Sequence, residues 1–171
     1  MFRKKFTTRT LTTLAMLTAI EVVLSRFLSV NAWNIKIGFG FVPVVVAAVL
    51  YGPLAAGIVG ALADFIGAIL FPIGAYFPGF TLTAFLMGLV FGLFLYQEQS
   101  LLRSLAAVGI NQFVLGLFLN TLWISILYDS PYVPLLATRV IQSVILSAVQ
   151  LVCIHLIVKA LNRYGKKVSA A

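Results

Sequence analysis

Residues 26–43, reading RFLSVNAWNIKIGFGFVP, are the first long interruption in a sequence that is otherwise almost continuously apolar. The run before them, about residues 10–28, can cross a membrane as one helix, since a spanning helix needs ~20 residues. The interruption opens with an arginine still attached to that helix, carries Lys36, and closes with aromatic and glycine residues running into Pro43. Such a segment is either a lid over something or a connector, and the rest of the chain has to decide which.

With 62% hydrophobic and 9% charged residues and a mean hydropathy of +1.11, the chain is far too apolar for a soluble domain, in which about a quarter of residues are charged. It is an integral membrane protein. Its 171 residues have room for about six spans with short loops, so residues 1–171 are predicted to form one all-α bundle of six transmembrane helices. The net charge of +8 would suggest nucleic acid in a soluble protein. Here eight of the twelve basic residues sit at Arg3, Lys4, Lys5 and Arg9 and at Lys159, Arg163, Lys166 and Lys167, flanking apolar spans. They read as topology signals, giving a cytoplasmic basic head (1–9), a cytoplasmic basic tail (162–171) and an even number of spans. A basic head before an apolar run also fits a signal peptide. The run continues to Leu28, however, and contains Glu21 and Arg26, so it is read as a permanent helix.

In the first span Ala15 and Ala19 stand one turn apart on one face, a spacing that lets another helix approach, from a partner or from within the bundle. Arg26 falls near its outer end. Residues 39–50 make a short second span, broken at Tyr51-Gly52-Pro53. The third span carries Gly52, Ala56, Gly60, Asp64 and Ala68 at four-residue intervals, which puts Asp64 on the small-residue stripe that packs against neighbours. An intramembrane aspartate costs ~2.5–3.5 kcal/mol on insertion scales; it is either functional or a hydrogen-bonded tie between helices. Residues 71–80 form a second external loop dense in aromatics, which serve as an interfacial belt or as stacking surfaces over a pocket. In the fourth span Gly88 and Gly92 have the GxxxG spacing of helix packing. The fifth, residues 105–128, carries Gln112, Gly116, Asn120 and Trp123 along one stripe; the sixth begins with Arg139, Gln142 and Ser143.

Arg26, Lys36 and Arg139 therefore converge on the outer side, where the only acid in a loop is Asp129. Either lipid phosphate pairs with them or an anionic solute does, for which planar guanidinium groups suit carboxylates. Trp123 and the loop aromatics would stack on a flat ring, with Asn120, Gln142 and Asp64 on its edge. The chain carries no GxxxxGK[ST] loop, no His/Cys/carboxylate cluster for a metal and no nucleophile with a usable base. Catalysis and ATP hydrolysis are thus not expected of it.

These residues resemble the substrate-binding components of energy-coupling factor vitamin transporters, most closely the folate-specific members. The resemblance covers nearly the whole chain. It rests on Ala15 and Ala19, on Ile35-Lys36-Ile37-Gly38-Phe39-Gly40-Phe41-Val42-Pro43, on Tyr51-Gly52-Pro53, on Ala63-Asp64-Phe65-Ile66-Gly67 and on Tyr76-Phe77-Pro78-Gly79-Phe80-Thr81. It implies a six-helix monomer in the bacterial plasma membrane that binds a vitamin from outside and hydrolyses nothing. It also implies partners, a transmembrane coupling subunit (EcfT) and two ATPase subunits that use the ATP, with no cofactor or metal of its own. Ala15 and Ala19 would dock on the coupling subunit. Residues 29–38 would be an external gating loop, with Trp33, Asn34, Lys36 and Phe39 as its gating residues.

Folate, with its flat pterin and two carboxylates, suits the pocket read from the residues. Arg26, Lys36 and Arg139 are expected at its anionic end or polar ring edge, Phe71, Tyr76, Phe80 and Trp123 along its flat part, and Asp64, Asn120, Gln142 and Ser143 among the other contacts. The rivals are another vitamin in the same family (riboflavin, biotin or a queuosine precursor), a membrane scaffold, and a secondary transporter with Asp64 as its proton site.

Overall fold

The computed structural model describes residues 7–32 and 35–168. In chain order they form α1 (Thr8–Arg26), the strands β1 (Ser29–Ala32) and β2 (Ile35–Gly38), α2 (Phe41–Tyr51), α3 (Pro53–Leu70), α4 (Pro78–Leu95), α5 (Leu101–Tyr128) and α6 (Tyr132–Val168). Six helices among the described residues match the expected bundle. Four segments are long and apolar enough to cross a membrane: α3, α4, α5 and Tyr132–Leu161 of α6. The 19 residues of α1 reach about 28 Å, close to the ~30 Å of a hydrocarbon core. The 11 residues of α2 reach only about 16 Å.

The segment between α1 and α2 departs from the all-helical expectation. It is an antiparallel hairpin pairing Ser29 with Gly38, Val30 with Ile37, Asn31 with Lys36 and Ala32 with Ile35. Val30, Ile35 and Ile37 are β-branched residues that favour extended backbone, and Gly38 permits the closure: a Cβ there would lie 2.6 Å from the Ser29 Cβ. Trp33 and Asn34 lie outside the described residues, as does the side chain of Lys36.

Local chemistry fixes the helix ends. Thr7 and Ser100 cap α1 and α5 by accepting from the N–H groups of Thr10 and Arg103, which satisfies orphan donors of a first turn. Pro53 and Pro78 open α3 and α4, where a missing N–H does no harm. Between α2 and α3 the chain turns at Gly52, whose φ of 93° is one that residues with a Cβ avoid.

The most extensive helix pairing is that of α3 with α4, and glycines make it possible. A Cβ at Gly88 would collide with the Ala56 carbonyl and one at Gly92 with the Pro53 backbone, while one at Gly60 would stand 2.8 Å from the Ala84 oxygen. The GxxxG pair thus packs inside this chain. Gly92→Ala is expected to cost about 1–3 kcal/mol through overpacking, read as a lowered unfolding midpoint in detergent. Gly109→Ala, where a Cβ meets nothing within 4 Å, should cause no such drop; equal behaviour of the two would refute the close approach.

The apolar core joins Val44, Val45, Ala47, Ala48, Ala55, Ala56, Val59, Phe91, Leu95, Ala107, Val108 and Ile154. These residues gather at the end of the bundle holding the α2–α3 and α4–α5 turns. The other end, beneath the hairpin and the α3–α4 loop, is left to a cavity.

Candidate functional site

That cavity has a volume of ≈ 410 Å³ and is lined from every helix. Arg26, Asp64, Tyr76, Phe80, Asn120 and Arg139, all read from the sequence as site residues, line it together. It lies within the size range of small-molecule sites.

Arg26 is the last residue of α1, and its guanidinium crosses to α3 over Gly67, where a Cβ would come within 2.6 Å of Nε. Nη2 donates to the Asp64 carbonyl oxygen at 3.3 Å and lies 3.7 Å from Oδ1 of the same residue. The other carboxylate oxygen of Asp64 accepts from the Thr81 hydroxyl at 2.8 Å, and Thr81 is 3.4 Å from the Tyr76 hydroxyl. Asp64 thus ties α1, α3 and α4 together, so its carboxylate is already engaged where it meets the cavity. Among the described residues Arg26 Nε has no hydrogen-bond partner, which leaves part of its donor capacity open.

Arg139 comes from the second turn of α6, about 10 Å below the start of that helix. It is 8% exposed. Its Nη1 donates to the Thr121 hydroxyl at 3.2 Å, while Nε has no partner among the described residues. Among the described residues no carboxylate forms an ion pair with it. A buried cation held this way is costly unless something completes its shell. Gln150, roughly 27 Å along α6, and Asn111 of α5 line the deeper part. The side-chain oxygens of Asn111, Asn120 and Gln150 are buried without donors among the described residues.

The aromatic wall comes from the α3–α4 loop and the start of α4. Phe77 lies 5.5 Å from Trp123 and 6.2 Å, edge-on, from Phe80; Tyr76 packs edge-on against Phe65 at 5.9 Å. Trp123 stands behind this wall. Its indole N–H donates to Thr83 at 3.0 Å, and its ring fills the space that a Cβ on Gly79 would need.

Several expected residues are not in the lining. Trp123 buttresses Phe77, and Phe71 packs edge-on against Phe27 at 5.1 Å, half-exposed. Gln142 and Ser143 are buried in α6 beside the site, and Phe39 is exposed while its neighbours Gly38, Gly40 and Phe41 line the mouth. Conversely, Glu21, Ser25, Phe77, Thr83, Asn111 and Gln150 line the cavity without having been singled out. Glu21, an acid inside a span, carried a usable signal. Asn111 did not, because the four-residue stripe through Gln112, Gly116 and Asn120 assumes a regular α-helix, and α5 is wound more widely over Ile110–Leu119.

Ala15 and Ala19 lie on the exposed flank of α1, beside Leu11, Met16, Ile20 and Val23. Both alanines face outward and so do not pack within the bundle.

Comparison with known proteins follows the same lines. The family described as ECF transporter, substrate-specific component, matches residues 9–158. The chain is 42% identical over 143 residues to the folate transporter FolT of Clostridium novyi, covering 83% of each protein. It is 35% identical over 153 residues to the folate transporter FolT of Leuconostoc mesenteroides, covering 85% of this chain and 82% of that relative. A crystal structure of FolT bound with folic acid superposes with a TM-score of 0.82 at 34% identity, over 87% of this chain and 92% of the other.

Proposed function

This chain belongs to the substrate-specific components of ECF transporters, and from that premise we propose that its cavity binds folate for uptake. The observation that carries the reading is the pair Arg26 and Arg139, each with an unpartnered Nε, in one aromatic-walled cavity. Guanidinium groups match carboxylates in geometry as well as charge, and a flat ring stacks on Phe77, Phe80 and Tyr76. Lys36, at the hairpin that covers the mouth, adds a third positive charge. Trp123 supports the lining residues Phe77 and Thr83 from outside, Phe71, Gln142 and Ser143 stand outside the lining, and Asp64 holds Arg26 in place.

The chain itself catalyses nothing in this reading. It sits in the bacterial plasma membrane with both termini and their basic residues in the cytoplasm, as the positive-inside rule favours. The hairpin, with Trp33, Asn34, Lys36 and Phe39, gates the outer mouth. The exposed Ala15–Ala19 face docks on the transmembrane coupling subunit, and two ATPase subunits supply the energy that releases folate inside.

Protein purified from folate-containing cells and then denatured is expected to release about one folate per chain, identified by mass. Release of riboflavin, biotin or a queuosine precursor instead would keep the family and overturn the ligand. A chain that never carries a small molecule would favour a scaffold.

A further inference from the structure

The two asparagines of α5 stand in a relation that a regular helix could not give them. Asn111 and Asn120 are nine residues apart, which in an α-helix is about two and a half turns and places them on opposite sides. Residues Ile110–Leu119 are wound as a π-helix, and the Asn120 N–H donates to the Leu115 carbonyl five residues back. Each such turn is wider by roughly one residue, so nine residues make about two full turns. Both asparagines accordingly line the cavity, while Phe113, Val114 and Phe118 point outward.

Their amide chemistry is also set. Asn111 is 1% exposed, and its Nδ2 donates to the Met87 carbonyl at 3.2 Å, which assigns the side-chain oxygen as the free end. That oxygen and Oδ1 of Asn120 are buried without donors among the described residues, a condition that folded proteins avoid unless a ligand or water completes it. π-turns inside helices are frequent at functional sites.

We infer that the π-wound segment of α5 is a register device that turns Asn111 and Asn120 onto one cavity wall as paired carbonyl acceptors, which select the ligand by the N–H donors of its flat ring. The inference rests on the folate reading. The 2-amino-4-oxo ring of folate offers amino and ring N–H groups along one edge, and removing the amino group leaves an acceptor orphaned.

The test compares folate with its analogue bearing hydrogen in place of the ring 2-amino group, on the full chain in detergent. The unaltered protein is expected to prefer folate by about tenfold or more. Asn111→Leu and Asn120→Leu should each weaken folate, and at least one should bring the preference to within about threefold. A preference unchanged in both variants overturns the inference while the folate reading stands. Failure of the unaltered chain to bind folate overturns both.

Register is tested separately by deleting Val114, which is 53% exposed. Removing one residue from a widened turn returns it to α pitch without rotating Asn120 away from Asn111, so the variant should fold and bind folate within about threefold of the parent. Deleting Leu62 from the regular α3 turns Asp64 by about 100° against its neighbours and should abolish binding. If loss of Val114 is as damaging as loss of Leu62, by misfolding or by lost affinity, the register role is overturned.

Discussion

Arg139→Ala is expected to weaken folate binding by roughly ten- to a hundredfold, because a hydrogen bond to a charged group contributes ~1.5–3 kcal/mol. The side chain is 8% exposed, holds one neutral partner in Thr121, and keeps Nε open toward the cavity. Removing it takes an incompletely compensated cation out of a buried site, so the chain should remain folded and the loss should appear in affinity. Arg139→Lys keeps the charge but loses the planar fork, and should fall between the parent and the alanine variant. Calorimetric titration of the three proteins checks this. An alanine variant within about twofold of the parent would mean that Arg139 does not meet the ligand.

The second large effect is expected at the other face of the molecule. Ala15→Leu combined with Ala19→Leu should leave folate affinity within about twofold, since both positions are exposed and outside the cavity lining. Association with the coupling subunit should fall by about tenfold or more, because each substitution overfills a close helix contact at a cost of ~1–3 kcal/mol. Copurification with the tagged coupling subunit and folate uptake by cells expressing the whole complex read this out. Unimpaired copurification would remove these alanines from the interface, and lost folate binding would show that they serve the fold.

The helices were legible in the sequence because their boundaries are chemical. Gly52-Pro53 breaks the chain between α2 and α3, prolines open α3 and α4, and the small-residue stripe of α3 faces inward and delivers Asp64 to the cavity. Arg26, Tyr76, Phe80, Asn120 and Arg139, which line the cavity, were noticeable in the sequence because polar and aromatic groups inside an apolar chain stand out. The hairpin was not, since strands of four residues leave too short a pattern to separate from an irregular loop. Trp123 was placed in the lining by a spacing argument, yet it acts behind Phe77. Asn111 was missed because periodicity presumes 3.6 residues per turn, whereas the π-wound segment shifts which residues share a face. These two concern α5, the helix whose winding departs from that rule; Phe39, Phe71, Gln142 and Ser143, also outside the lining, lie on other segments.

The most direct test of the account is titration of the purified chain in detergent with folate while following the fluorescence of Trp33 and Trp123, with thiamine and riboflavin alongside. Quenching is expected to saturate at one folate per chain with nanomolar affinity, with no response to the other two. A response to thiamine or riboflavin with none to folate, or silence toward all three, would contradict it.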